Sequence, residues 1–373
     1  MTSSYWDEHL AEVDVVVVGG GLVGLLTAVE LRERAPSCRV RVLERGLLPR
    51  GATTRNAGFA CFGSLTEVLS DAARMGEAAA VELVARRWEG LKRLRSRLGD
   101  DSIGYEGHGG AELLFGDARD ALGSIELVNG WLRGAVGEGV FREDPGGVSA
   151  RGFAQATALV TNAYEGQVHS GKLLRALWRA AGAAGVEVMT GAEVVSLDEG
   201  SDGVRVLARG VDGEVTLRAP RAALCTNAFT GALRAAGIAP ARGQVIVTAP
   251  VEGGLPWRGC YHFDEGYYYF REVEGRVLFG GGRNLDVAGE ETTEMSLSAV
   301  IQGALERHLR ETILPGRSVE VTHRWSGVMG FRGDKRPAVE ALSPRVTLAF
   351  GCNGMGVALG AVIAREAAER VLG

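Results

Sequence analysis

After a mixed polar start, the chain opens on an apolar run, VDVVVV, which halts at three consecutive glycines and resumes as LVGLLTAVEL. A short continuous apolar run reads as a buried strand and the longer stretch after it as a helix. Residues 14–45 therefore predict strand, glycine turn, helix and a second strand, RVRVLERG. Residues 167–233 predict a second block. It starts with the amphipathic SGKLLRALWRAAGAAG, with Ser170 as the expected N-cap. Alternating strands follow through VEVMTGAEVVSLDEG and VRVLARGVDGEVTLRA, with Asp212-Gly213 as a hairpin turn. A third block is the strand RVTLAFG, a Gly-Asn-Gly turn and a closing helix over 357–372. Between these blocks the pattern changes. Residues 64–98 are helical by composition, and 242–284 hold strand-like runs (QVIVTAP, GYYYFREV, GRVLFGG). Residues 292–314 predict one amphipathic helix ended by Pro315-Gly316.

The first block carries chemistry. Gly19, Gly21 and Gly24 form G-x-G-x-x-G directly after a strand and at the start of a helix. The three glycines serve the tight turn, the approach of the backbone to a pyrophosphate, and helix–strand packing. The phosphate charge then meets the free amides of the helix N-terminus, at Leu22 and Val23. Glu44, about 20 residues on, ends the next strand, where a carboxylate binds ribose hydroxyls. The fold class is thus α/β with an α+β insert: a Rossmann-like domain assembled from separated segments, plus a sheet-and-helix substrate domain. The motif alone does not separate FAD from NAD.

Composition narrows the field. A net charge of -5 in 373 residues argues against a nucleic-acid partner. The 55 glycines suit a backbone that closely approaches a large ligand. The five cysteines (Cys38, Cys61, Cys225, Cys260, Cys352) are scattered without zinc spacing, so no metal site and reduced thiols are expected. No signal peptide or membrane span is expected either, since the first apolar run is broken by glycines. The expected location is cytoplasmic. No G-x-S-x-G elbow is present.

Following Glu44 and Arg45, the segment GLLPRGATTRNAGFACFGS places Thr53, Thr54, Arg55, Asn56, Ala57 and Gly58 together. Here the chain resembles the D-amino-acid oxidase family of flavoproteins, which includes glycine oxidase and sarcosine oxidase. The resemblance implies that these residues run along the pyrophosphate and one face of a flavin. It implies that a backbone group near Val194, in TGAEVVSLDEG, meets the adenine, and that the small residues around Thr226 and Asn227 pass close to the cofactor. It also implies that Gly351, Asn353, Gly354, Met355 and Gly356 point backbone amides at the flavin's carbonyl end, where a helix N-terminus stabilises negative charge. The domains it suggests are 1–62, 150–235 and 325–373 for FAD, with 63–149 and 236–324 for the substrate.

The resemblance breaks in WSGVMGFRGDKRPAVE. The position at which glycine oxidase carries a carboxylate-clamping arginine falls on Met329, while Arg332 and Lys335 lie nearby but out of register. Either the loop is remodelled or the substrate has no carboxylate at that place. The segment has no cysteine, so FAD is expected to be noncovalent. GGGRNL, at residues 280–285, lacks the third glycine of a second dinucleotide motif, which disfavours a monooxygenase with its own NADPH domain.

For the substrate, alternation in GYYYFRE sends Tyr267 and Tyr269 to one face of a strand and Tyr268 to the other. Tyr268, Arg283 and Arg332 are the candidate substrate contacts, and His262 flanks the same sheet. His169 reads as the residue at which a helix begins. The expected reaction is oxidation of the C–N bond of a small amine or amino acid by hydride transfer to flavin. It gives an imine and, with dioxygen as acceptor, hydrogen peroxide. Alternatives are dehydrogenation of a 2-hydroxy acid or other alcohol, with electrons passed to a quinone or carrier, and a flavin-binding protein without turnover.

Overall fold

The computed structural model describes residues 4–350 and 353–373. Strands Val15–Val18, Val40–Glu44, Glu187–Thr190, Arg221–Leu224 and Val346–Phe350 pair in parallel, and Ala338–Ala341 adds an antiparallel edge. The central strands Val15–Val18, Val40–Glu44, Arg221–Leu224 and Val346–Phe350 are buried on both sides, as the unbroken VVVV run requires, while Glu187–Thr190 and Ala338–Ala341 form more exposed edges. Val15 and Val17 face the helices Leu22–Arg34, Ser170–Ala183 and Gly356–Leu372. Val16 and Val18 face a three-stranded antiparallel sheet through Leu197, Val206 and Leu217.

A second, eight-stranded sheet forms the other half. Its order is Val321–Phe331, Ala239–Thr248, Arg276–Gly281, Tyr268–Val273, Cys260–Phe263, Gly110–Leu114, Ala158–Asn162 and Phe141–Glu143. Its neighbours run antiparallel except for the parallel pair Cys260–Phe263 and Gly110–Leu114. Side chains alternate across it. One face, with Tyr261, Phe263, Phe270 and Phe279, packs on Ile301 and Leu305 of the helix Ala299–His308. The opposite face, with Glu112, Cys260, His262, Tyr269 and Arg271, turns toward the nucleotide-type domain.

Several boundaries differ from expectation. Ala158–Asn162 belongs to the large sheet, although the resemblance places 150–235 in the FAD segment. The helix Glu77–Leu98, expected in the substrate domain, packs on Gly356–Leu372 so closely that a Cβ on Gly90 would lie 1.8 Å from the Ala358 carbonyl oxygen. The helix expected over 292–314 starts at Ala299, after Ser298. Residues before it are held in loop form, with the Glu294 carbonyl accepting from Arg242 and the Ser298 amide donating to Gln244 Oε1 at 3.0 Å. His169, rather than Ser170, caps its helix, its Nδ1 accepting from the amides of Gly171 and Lys172. The hairpin closes with Gly210 opposite Gly213, so the two-residue turn is Val211-Asp212. Among the described residues, no helix is long and apolar enough to cross a membrane.

Candidate active site

An elongated cavity of about 610 Å³ runs between the two sheets. Its first part is built by the glycine turn. Gly19 has φ +112°, and a Cβ there would lie 2.6 Å from the Cys225 carbonyl oxygen; a Cβ on Gly24 would lie 1.9 Å from the Gly19 oxygen. No side chain fits at either position. The turn therefore leaves the N-terminus of Leu22–Arg34 open to the cavity, where Gly21, Leu22 and Val23 form the wall. Glu44 is pinned at its strand end by two backbone amides, Gly20 to Oε2 and Gly46 to Oε1, both at 3.0 Å. Ala192 and Val194 line the cavity beside it.

The middle is formed by residues 51–57. Thr53 Oγ1 accepts the Leu22 amide at 2.9 Å, locking this segment to the helix start. Asn56 Nδ2 donates to the carbonyls of Ala52 and Thr53, and its Oδ1 accepts from the Gly58 amide and Ser170 hydroxyl. Arg55 donates to the Ser326 carbonyl at 2.8 Å, and the Arg45 guanidinium lies 3.9 Å over the Phe229 ring. Thr53, Arg55, Asn56 and Ala57 all line the cavity, as do Arg45, Thr226 and Asn227. Two residues of this group do not. The Thr54 hydroxyl turns away to the Pro49 carbonyl. Gly58, at φ +77°, is a close-packing position, where a Cβ would lie 2.3 Å from the Val168 oxygen.

Asn353, Gly354, Met355 and Gly356 line the far end, at the start of the closing helix. Gly351 lies outside the described residues. Asn353 Oδ1 accepts the Arg332 amide at 2.9 Å, while its buried Nδ2 has no partner among the described residues. An unpartnered buried donor is costly unless a ligand satisfies it. Together with the side-chain-free turn at Gly19 and Gly24, it fits a long dinucleotide cofactor in the cavity.

Beyond Asn353 the wall becomes aromatic: Phe59, Tyr267, Tyr269 and Phe331, with Met329 between. Tyr269 makes an edge contact with Phe59 at 5.5 Å, and His262 lies 5.0 Å from the same ring. Burial pushes the Tyr269 hydroxyl up to about 12 and lowers His262 to about 4, so both are neutral across the ordinary pH range. Arg283 sits 4.7 Å from the Phe331 ring and 5.9 Å from Tyr267. It makes no ion pair among the described residues. Arg332 lines the cavity, but its guanidinium is engaged by Glu340 at 2.7 Å. Lys335 is likewise bound to the buried Asp71 at 2.7 Å.

Tyr268 is the clear correction among the substrate candidates. Its ring is on the packing face, 4% exposed, stacked on Phe263 at 4.7 Å and 4.8 Å from His308. A signal for the right face was present. Tyr268 shares parity with Phe270, whereas Tyr267 and Tyr269 share it with the charged Arg271. Phe59 and Glu67 also line the cavity without having been singled out.

Comparison with known proteins agrees with this geometry. The family described as FAD dependent oxidoreductase (DAO) matches residues 14–370. The chain is 26% identical over 392 residues to a probable oxidoreductase OrdL of Rhizobium meliloti (strain 1021), covering 97% of this chain and 83% of that protein. In fold it is similar to L-proline dehydrogenase from P. horikoshii, with TM-score 0.75, 17% identity and coverage of 96% of this chain and 92% of the other. It is also similar to glycine oxidase from Geobacillus kaustophilus, with TM-score 0.74, 23% identity and coverage of 97% and 95%. A cavity that has room for a dinucleotide and ends in an aromatic chamber is thus explained by descent, and the chain belongs to the DAO family of FAD-dependent oxidoreductases.

Proposed function

We propose that the chain oxidises the carbon–nitrogen bond of a small amine or amino acid, yielding an imine that water hydrolyses. Bound FAD, held noncovalently, supplies the two-electron acceptor, and with dioxygen as the final oxidant the second product is hydrogen peroxide. The observation that carries the reading is the aromatic chamber next to Asn353, which holds a neutral tyrosine and histidine and one cation without an acidic partner.

Each part of the chain has a defined task in this reading. Gly19, Gly21 and Val23 cradle pyrophosphate at the helix N-terminus, with Leu22, its amide held by Thr53, as part of the wall, and Glu44 holds ribose hydroxyls. Asn353 Nδ2 and the backbone at Gly354, Met355 and Gly356 give donors at the chamber end. Phe59, Tyr269 and Phe331 exclude water and orient the carbon whose hydride is lost. Arg283 is the group that would read an anionic substituent, since Arg332 and Lys335 are already paired. Met329 is an apolar wall, where glycine oxidase carries its arginine.

An anaerobic flavin-bleaching screen tests this. Glycine, D-amino acids, N-methyl amino acids and polyamines form the panel, with 2-hydroxy acids as the contrast. Bleaching by an amine is the expected result. Reduction by a 2-hydroxy acid, with every amine inert, would replace the amine reading with alcohol oxidation.

A further inference from the structure

The strand Cys260–Phe263 carries one residue that borders two compartments. His262 lines the active-site cavity and also a second, small chamber of about 10 Å³. That chamber is buried, for none of its lining residues is more than 9% exposed. Its volume suits a single water molecule. The polar groups around it are Ser64, Glu112, Asn162, Glu165 and His262. Asn162, which borders the chamber, is 4% exposed, and its buried Nδ2 has no partner among the described residues.

An amine oxidised by hydride loss must first be neutral, yet an alkylammonium keeps its proton until about pH 10. The site must therefore accept a proton. We propose that the chamber is the proton outlet of the active site, in which His262 passes the substrate ammonium proton through one water to the Glu165 carboxylate. The proposal rests on the amine reading above. The balance is simple: the ammonium N–H bond breaks, a carboxylic O–H bond forms on Glu165, and no electrons move. His262 takes a proton on the ring nitrogen toward the cavity and gives up the proton on the other nitrogen to the water, so its net charge is unchanged.

Two acids border the chamber, and their partners tell them apart. Glu112 accepts from the Ser64 hydroxyl at 2.9 Å, the Thr66 amide at 3.1 Å and the Thr66 hydroxyl. Those donors stand at the N-terminus of the helix Leu65–Met75 and pull Glu112 toward the charged carboxylate, although burial still holds it above the usual carboxylate range. Glu165 accepts two amides, Phe62 at 2.8 Å and Gly63 at 3.2 Å, both at Oε1. Its second oxygen receives neither. Burial raises Glu165 to about 7 against the pull of those amides and of the Cys61 thiol, with the Glu67 charge adding to the rise. The nearby Arg87 is occupied by the Phe62 carbonyl, Glu67 and Asp71. Facing His262 are Glu112 across the parallel strand and Tyr269 across the antiparallel one, with Arg271 and Cys260 two residues away on the same face. Burial alone lowers His262, which suits a relay better than a store.

The test uses the FAD-loaded protein and Glu165→Gln, which keeps an oxygen for the Phe62 and Gly63 amides. In the wild type, anaerobic bleaching by an active amine should rise with pH on a limb near 7, as Glu165 becomes free to accept. In E165Q that limb should move up to the amine's own pKa, with bleaching at pH 8 slowed at least about 10-fold. His262→Phe should reproduce the shift. An unchanged pH profile in E165Q would overturn the proposal. Infrared titration of the substrate-free holoprotein gives a reading independent of turnover. A protonated-carboxyl band that fades as pH rises through about 7, and is missing from E165Q, is expected. If E165Q does not fold, the wild-type band and the H262F profile decide, and a wild type without such a band overturns the proposal. If no amine bleaches the flavin, the amine reading fails by itself, and the infrared titration still shows whether Glu165 exchanges protons near neutrality.

Discussion

The two faces of the eight-stranded sheet are made by the same strands, one residue apart, and do opposite work. On one face, Tyr261, Phe263, Phe270 and Phe279 are closed by the helix Ala299–His308 into an aromatic core. On the other, Glu112, Cys260, His262, Tyr269 and Arg271 meet the cofactor domain, and polar groups there have been buried at a cost. The packing face spends its side chains on dispersion and area; the cavity face holds groups whose ionisation is shifted by burial. A change on the first face should therefore act on stability, and one on the second on turnover and its pH dependence.

The largest expected effect tests the packing face. Phe270 is fully buried and contacts Phe153, Trp257, Tyr261 and Phe279. Phe270→Ala should cost about 3–5 kcal/mol in urea unfolding, as expected for removing a buried aromatic ring. Because it points away from the cavity, whatever folded protein remains should bleach with an unchanged KM. A raised KM at full stability would break the comparison.

Next in size is the pH dependence of stability, which belongs to the cavity face. His262 falls from 6.5 to about 4 on folding, so the unfolded chain binds the proton first. Its contribution is present above pH 6.5 and is lost as pH falls through about 4. Glu165 rises from 4.5 to about 7, so its contribution is present below 4.5 and lost as pH rises through about 7. Each is at most about 3–4 kcal/mol, since a tenfold change in proton affinity is worth roughly 1.4 kcal/mol. Between about pH 4.5 and 6.5 the two slopes oppose each other. Melting curves should show E165Q gaining stability with rising pH in that window and His262→Asn losing it. Parallel curves for both variants would contradict the assignment.

Arg283 comes third. Arg283→Ala should raise KM about 10–100-fold for a substrate with a carboxylate, the loss of one charge-assisted contact of about 1.5–3 kcal/mol. The same change should leave an amine without a carboxylate nearly unaffected. Equal effects on both would assign Arg283 to packing against Phe331 and Tyr267 instead.

What could be read in the sequence follows the same division. The glycine turn and Glu44 were legible because most of their demands are local: the φ of +112° at Gly19 and the 1.9 Å approach of a Gly24 Cβ to the Gly19 oxygen are set within the turn, and the distant Cys225 carbonyl only tightens them. The helical stretch over 64–98, which breaks at Gly76 into Leu65–Met75 and Glu77–Leu98, was legible from its composition, and the closing helix from its place after the Gly-Asn-Gly turn. The substrate end was not, because it depends on which sheet face a distant helix covers. Tyr268 and Tyr269 look alike along the chain, and only the docking of Ala299–His308 separates them. Residues 292–298 carry a helical pattern, yet their backbone is drawn to Arg242 and Gln244, partners about fifty positions away. The chamber around Glu165 joins strands and loops from residues 64 to 262, a grouping without any short-range signature.

The smallest effect is the sharpest control, because it compares one residue type at adjacent positions. Tyr268→Phe removes a hydroxyl from a ring whose work is stacking on Phe263, so stability should change by no more than about 0.5–1 kcal/mol and bleaching should not change. Tyr269→Phe removes a hydroxyl from the cavity wall, beside Phe59 and the backbone at Gly243. It should leave unfolding equally unaffected while slowing bleaching or raising KM about 10-fold, the scale of one lost hydrogen bond to a bound ligand. Stopped-flow bleaching and urea unfolding on the two variants measure both quantities side by side. If Tyr268→Phe alone impaired bleaching, the packing face would be the one nearer the substrate. If both variants behaved alike in both assays, the division of labour between the faces would fail, since parity is the only difference between the two positions.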